Sequence, residues 1–248
     1  MPAALQIGDK SIPADQLPLL LEQYRLVPQL AKEMVLDQAI ADFKIPEEEQ
    51  MEAIKRFYQQ NQINTDQELD KWLEQQHLTR DGLMTLISRE LRLQKFKTTK
   101  WDVQVESHFV QRKAQIDQVV FSMVRVKDVD IAEEIYFRLL SKEATFSELA
   151  PRYSSGIEAK TRGISGPIEL GRLDPTLAGA LVSAQPEEVL SPMNVSGWWV
   201  VMQLEALIPA ELDDPTRQRL TEELFNIWVN AEVQKTMLVE NELQLISV

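Results

Sequence analysis

Apolar residues between about Pro13 and Gln115 recur mostly at three- and four-residue spacing, which is typical of amphipathic helices and not of strands. The stretch 81–115 contains no proline, so it predicts one long helix or two helices with a bend. Helix starts are marked by a capping residue, a proline or acidic residues in a first turn, at Pro13, Pro46, Thr65 and Thr79. The zone is therefore expected to be a helical bundle or hook.

The pattern changes between Val119 and Glu205. The β-branched run 119–126 predicts a strand, and a second strand is predicted over 197–204. A polar, glycine-containing loop through Gly166 lies between them. Helical spacing in the same region predicts three helices, over 131–140, 146–153 and about 175–184. Two strands and three helices in this order predict a small α+β domain.

After Pro209 the chain returns to a helical pattern. An apolar stripe with helical spacing is formed by Leu220, Leu224, Ile227, Trp228, Ala231 and Leu238. A single helix with so wide a stripe has to bury it, and the first helical zone is the expected host. The helical domain is then discontinuous, with the α+β domain inserted into it. The predicted domains are 1–115, 116–206 and 207–248.

Composition excludes several kinds of site. The chain of 248 residues has no cysteine and only two histidines, His77 and His108, which excludes disulfides, cysteine catalysis and cysteine-based metal sites. The histidines have no ligand-spaced partners, so neither a metal nor a cofactor is expected. There are 26 basic and 39 acidic residues, a net charge of −13, and no region is basic. A nucleic-acid partner is therefore not expected.

The first residues, MPAALQIGDKSIPADQL, lack a basic segment followed by an apolar one, which a secretory signal would have. The longest apolar stretches are also much shorter than a bilayer span requires. The sequence as it stands therefore predicts a cytoplasmic protein without an integral membrane segment.

The α+β zone resembles a parvulin-type peptidyl-prolyl isomerase domain. Five strings carry the resemblance over about ninety residues: 144–154 (ATFSELAPRYS), 162–166 (RGISG), 171–181 (GRLDPTLAGAL), 185–192 (QPEEVLSP) and 197–201 (GWWVV). The surrounding layout resembles that of SurA- and PrsA-like foldases, in which a helical domain completed by a C-terminal helix holds unfolded chain. The resemblance implies a small antiparallel sheet flanked by helices, and clients that are unfolded or proline-containing polypeptides.

The family's polar site positions hold apolar residues in this sequence. Met123 and Trp199 stand where the family carries histidines, and Ile164 stands where it carries Asp or Cys. Leu173 and Leu177 keep the apolar wall that contacts the proline ring. The resemblance thus implies a client-binding site formed by these five residues, and it assigns no catalytic residue.

Physical chemistry allows such a site to bind without much catalysis. Rotation about an X–Pro bond has a barrier of roughly 18–20 kcal/mol, and no bond is broken. An apolar pocket can hold the proline and exclude water, but it lacks the polar groups that favour the twisted amide. Weak or lost isomerase activity is therefore expected.

Three other interpretations remain open at this point. Met123 and Trp199 could be core residues of a domain whose cleft is filled. The protein could also be a non-catalytic adaptor that uses the parvulin scaffold to dock a partner, for example in protein export, or an isomerase with an altered site. The aromatic residues of the helical zones could form either a protein core or a groove for unfolded chains. They are Trp72, Phe96, Trp101, Phe109, Phe225 and Trp228.

Overall fold

The computed structural model describes the backbone of residues 3–246 and the side chains of residues 5–236. The chain forms two compact units: Met1–Val105 together with Arg217–Val248, and Glu106–Thr216. The sequence-based prediction set the boundaries after residues 115 and 206.

The first unit opens with a hairpin that the sequence pattern did not predict. Strand β1 (Ala3–Ile7) pairs antiparallel with β2 (Lys10–Pro13), and Gly8 in the turn has a φ of +57°, which glycine adopts without strain. Strands this short show too few alternations to be recognised in a sequence.

Five helices follow the hairpin: α1 (Leu17–Gln23), α2 (Val27–Ile40), α3 (Glu47–Gln60), α4 (Asp66–Gln75) and α5 (Arg80–Ile116). The start at Thr65 is a capping box, because its hydroxyl accepts from the amide of Glu68 while the Glu68 carboxylate accepts from the amide of Thr65. The stretch without proline is one continuous helix, α5. A buried cluster joins α4 and α5, with Phe57 of α3 packed against it, and is formed by Ile63, Leu69, Leu73, Leu83 and Ile87.

The second unit is built on a four-stranded antiparallel sheet. In chain order its elements are β3 (Gln118–Val126), α6 (Val129–Leu140), α7 (Phe146–Tyr153), β4 (Ile164–Glu169), α8 (Pro175–Ser183), β5 (Val189–Val195) and β6 (Trp198–Ile208). The strand order is β4-β3-β6-β5, so both predicted strands are central. The edge strands β4 and β5 were not predicted, because each contains a proline and little alternation.

Side chains alternate between two buried faces of this sheet. The face that packs against α6 and α7 carries Val124, Val126 and Val201, and is called the α6 face below. The opposite face, the α8 face, carries Phe121, Met123, Val200, Met202 and Leu204, together with residues from α8.

The last helix, α9 (Asp214–Ile246), packs against α5 within the first unit. The ring centroid of Trp101 on α5 lies 5.8 Å from the ring centroid of Phe225 and 5.8 Å from that of Trp228. The ring centroid of Phe96 lies 5.1 Å from that of Trp228. Lys97 forms an ion pair with Glu222 at 2.7 Å. These aromatic residues therefore form a core and not an open groove.

Lys100 stands over the same aromatic cluster. Its Nζ atom lies 3.9 Å from the ring centroid of Trp228 and 5.0 Å from that of Phe96. Burial against the rings lowers the pKa of Lys100, since a charged amine is less favourable away from water. The cation nevertheless gains from facing aromatic rings.

The packed stripe of α9 includes the predicted Leu220 and Trp228 but departs from the prediction at other positions. Leu220, Phe225 and Val229 are buried, whereas Ile227 is exposed. The side chain of Leu238 lies outside the described residues. Within residues 3–246, none of the helices combines the length and the apolar character that crossing a bilayer would require.

We predict that Phe225→Ala destabilises the first unit, because it empties a site at the centre of the α5–α9 contact. Loss of a buried phenylalanine costs about 3–5 kcal/mol of the free energy of unfolding. Urea unfolding followed by circular dichroism measures the loss. Ile227→Ala, on the exposed side of the same helix, is the matched control, and equal stability of the two variants would contradict the packing described.

Candidate functional site

Met123 lies on the α8 face, in the middle of β3. Its side chain is only 9% exposed, and it belongs to the buried cluster of that face. Leu173, which follows a 3₁₀ turn, and Leu177 on α8 pack against this cluster and are half-buried. The structure thus brings together three of the five residues predicted to form the site.

Trp199 does not join them. On β6, Trp198, Val200 and Met202 point to the α8 face, and Trp199 packs with Val201 on the α6 face. The reason is strand alternation, which sends neighbouring residues to opposite sides. Trp198 is therefore the tryptophan that shares a face with Met123. The sequence shows that only one of the two can do so, but the register of β6 against β3 decides which.

Ile164 also lies away from Met123. It begins β4 and is paired with Ser122 of β3, so both residues face α6. Ile164 is exposed and lines a groove of about 770 Å³ that runs across the α6 face. At the floor of this groove the buried Ser122 hydroxyl donates a hydrogen bond of 2.6 Å to Oε1 of Glu205.

A buried carboxylate lies beside the α8 face. Glu158, in the segment between α7 and β4, is 2% exposed, and its Oε1 lies 2.9 Å from Nε of Arg125 on β3. The Nε–H does not point closely enough at this oxygen to form a hydrogen bond, so charge holds the pair. Oε1 also accepts a hydrogen bond from the hydroxyl of Ser154.

The same segment is fixed to β3 through the backbone. The amide of Ser155 donates to the carbonyl of Arg125, and the amide of Arg125 donates to the Ser154 hydroxyl, both at 3.1 Å. The amide of Gly163 donates to the carbonyl of Glu158 at 2.8 Å. Glu158 is therefore held at both its carboxylate and its backbone.

Arg125 follows Met123 by two residues and so emerges on the α8 face. Its Cζ atom lies 5.8 Å from the ring centroid of Trp198, and Lys127 Nζ lies 3.7 Å from the same ring. The sequence reasoning missed Arg125, Glu158 and Trp198. The alternation of β3 could have indicated Arg125, whereas Glu158 lies in a loop that no periodicity describes.

The α8 face can bind an apolar group but carries no acid or base at its centre. Met123, Leu173 and Leu177 supply apolar contact, and Trp198 adds an aromatic surface. Neither histidine lies on β3 or β6. In the part of the chain that the structure describes, no three acidic or histidine side chains come together as a metal site.

We predict that Gly156→Ala disrupts the Arg125–Glu158 pair. A methyl group on Gly156 would overlap the terminal nitrogen Nη2 of Arg125 and Oε2 of Glu158. Overpacking of this kind costs about 1–3 kcal/mol in the free energy of unfolding. Thermal or urea unfolding provides the measurement. Gly179→Ala is the matched control, because it lies on α8 with open space around it and gains helix propensity.

Comparison with known proteins agrees with this architecture. Residues 111–206 match the family described as "Rotamase: PPIC-type PPIASE domain". Foldase protein PrsA of Halalkalibacterium halodurans is 25% identical over 209 residues, which cover 79% of this chain and 62% of that protein. The chain therefore spans less than two thirds of the length of that relative.

This chain is also similar to solved structures of PrsA, and the one from Bacillus cereus shows the same fold. PrsA from Bacillus cereus has a TM-score of 0.51 at 17% identity, over 95% of this chain and 92% of the other. PrsA from Bacillus anthracis has a TM-score of 0.48 at 18% identity, over 86% of this chain and 97% of the other. Residues 111–206 are thus a parvulin-type peptidyl-prolyl isomerase domain, in a chain with the fold of the PrsA-like foldases.

Proposed function

We propose that this protein is a foldase. The first unit holds unfolded polypeptide, and the parvulin-type domain binds proline-containing segments on its α8 face with weak or absent isomerase activity. Its clients are extended or partly unfolded chains. The relative from Halalkalibacterium halodurans, which is named a foldase protein, supports this assignment.

The observation that carries the proposal is the composition of the α8 face around Met123. Leu173, Leu177 and Trp198 are half-buried there, so each keeps apolar surface that a client side chain can cover. Covering apolar surface contributes roughly 25 cal/mol per Å². A proline ring is apolar and rigid, so it loses little conformational entropy when it binds.

Weak catalysis follows from the same residues. Apolar contact lowers the polarity around an X–Pro amide, which helps the twisted state. It supplies none of the fixed dipoles that normally stabilise the changing charge distribution of a reacting group. Met123 and Trp198 offer no strong hydrogen-bond acceptor, and neither does either leucine.

The first unit offers a separate apolar surface on α2. Leu26, Leu30 and Met34 follow one another at four-residue spacing, and they are 41%, 46% and 63% exposed. Residues at this spacing lie on one face of a helix. Other positions of α2 are buried, namely Ala31, Leu36 and Ile40, and they anchor the helix. We assign this exposed stripe to the binding of unfolded clients.

A second candidate is a dedicated adaptor in which the parvulin-type domain only docks a partner, for example in protein export. The burial of Met123, at 9% exposed, favours it, because a filled face leaves little depth for a proline. An adaptor would bind no X–Pro peptide and would not protect unrelated proteins from aggregation. The two experiments below therefore separate the candidates.

We predict that short X–Pro peptides show shifted NMR signals in the presence of the protein, while their cis–trans exchange rate changes little. Leu177→Ala combined with Trp198→Ala should weaken this binding about tenfold or more, because two apolar contacts are lost. Chemical-shift titration gives the affinity and exchange spectroscopy gives the rate in the same samples.

The matched control for that experiment is Trp199→Ala, which removes a tryptophan from the other face. It should bind peptide like the wild type once circular dichroism has shown that it is folded. Strongly accelerated exchange would contradict weak catalysis. Unchanged affinity in the double variant would contradict the assignment of the α8 face.

We further predict that Leu30→Ser with Met34→Ser reduces suppression of aggregation without lowering the stability of the protein. Both side chains are exposed, so the substitutions leave the core intact. Light scattering of an unrelated, chemically denatured protein on dilution provides the assay. Val103→Ser, which changes an exposed apolar residue of α5, is the control. Equal suppression by all three proteins would argue against the α2 surface.

A further inference from the structure

We infer that Arg125 recognises the backbone of a bound client by donating a hydrogen bond to the carbonyl oxygen of the residue before proline. The inference rests on the proposed function and adds a specific polar contact to the apolar α8 face. Glu158 acts as a positioning residue, because it fixes the guanidinium without contacting the client.

The placement of Arg125 supports this role. It shares the α8 face with Met123 and is paired with Val200 across the sheet, next to Trp198. The distance from one residue to the next but one along a strand is about 7 Å. A peptide whose proline contacts the apolar residues around Met123 therefore has its neighbouring carbonyl within reach of the Arg125 side chain.

The guanidinium is both fixed and available. Its Nε forms an ion pair with the buried Glu158, and its Cζ lies 5.8 Å from the ring centroid of Trp198. Nη2 lies against Gly156, as does Oε2 of Glu158, whereas no hydrogen bond among the described residues uses Nη1, and 37% of the side chain is exposed. Because a buried carboxylate is strongly destabilised when its partner is removed, Glu158 holds the guanidinium in place.

The backbone of an X–Pro segment offers hydrogen-bond acceptors, so the protein group that recognises it has to be a hydrogen-bond donor. Proline has no backbone N–H, so the bond that isomerises is flanked by carbonyl oxygens alone. Arginine is a pure donor that stays charged at any physiological pH.

The test compares two peptides and several variants by NMR titration. One peptide is a neutral Ala–Pro sequence, and the other has sulfur in place of the carbonyl oxygen before proline, which makes a poorer acceptor. For the wild type, the sulfur peptide should bind at least about fivefold more weakly. Arg125→Met should bind the oxygen peptide about tenfold more weakly than the wild type does, as expected for a hydrogen bond to a charged group. It should also no longer distinguish the two peptides.

Loss of folding is controlled by a second variant. Arg125→Met leaves Glu158 buried without its partner, so Arg125→Met with Glu158→Gln removes both charges together. This double variant should behave like Arg125→Met toward both peptides. Glu158→Gln alone should keep part of the wild type's preference for the oxygen peptide over the sulfur peptide, because the guanidinium remains but is less well fixed.

Two charge controls separate a hydrogen bond from general attraction. Lys160→Met removes an exposed cation two residues after Glu158 in the chain and should leave both affinities unchanged within about twofold. Lys127→Met removes the other cation over Trp198 and should keep the preference for the oxygen peptide.

Several outcomes would overturn the inference. One is that the folded Arg125 variants bind the oxygen peptide as tightly as the wild type. Another is that these variants still bind the sulfur peptide more weakly than the oxygen peptide. A third is that Lys127→Met loses as much affinity as Arg125→Met. If the wild type binds neither peptide, the proposed function of the α8 face fails as well. Binding that does not depend on Arg125 would overturn only this inference.

Discussion

Antiparallel pairing of β3 with β6 is the constraint on which the second unit depends. Both strands are central, and both of their faces are buried, so the register fixes which residues meet on each side. Met123 is paired with Met202, and Val126 with Trp199. A shift of one residue would exchange the two faces and place polar Ser122 among the apolar residues of the α8 face.

The segment between α7 and β4 adds a second constraint on the same strand. Glu158 is the one fully buried acid among the described side chains, and it is held by Arg125, Ser154 and the amide of Gly163. Its position removes conformational freedom from Arg125 at the border of an apolar face. The domain thus holds one fixed ion pair beside the apolar α8 face.

Much of the architecture was predictable because periodic patterns reflect local geometry. The helices 131–140 and 146–153 were predicted within two residues, and the long stretch without proline is one helix. The α+β class and the parvulin-type domain were confirmed as well. The hairpin β1–β2 and the edge strands were missed, because they are short or interrupted by proline.

The candidate site was predictable only in part. Met123, Leu173 and Leu177 meet as expected from the resemblance, whereas Ile164 and Trp199 lie on the other side of the sheet. Sequence alignment assigns a residue to a strand but cannot give its side when neighbouring positions are both apolar, as in Trp198–Trp199. On α9, likewise, Phe225 and Val229 are buried although the predicted stripe did not include them, whereas the predicted Ile227 is exposed.

The sequence by itself determined the helical zones and the α+β domain inserted between them, because these follow from residue type and spacing along the chain. Only the tertiary structure decided which tryptophan joins Met123 and that Arg125 is tied to Glu158. Strand register and loop closure bring together residues far apart in the chain. No local pattern records those distances, since they depend on how the whole sheet packs.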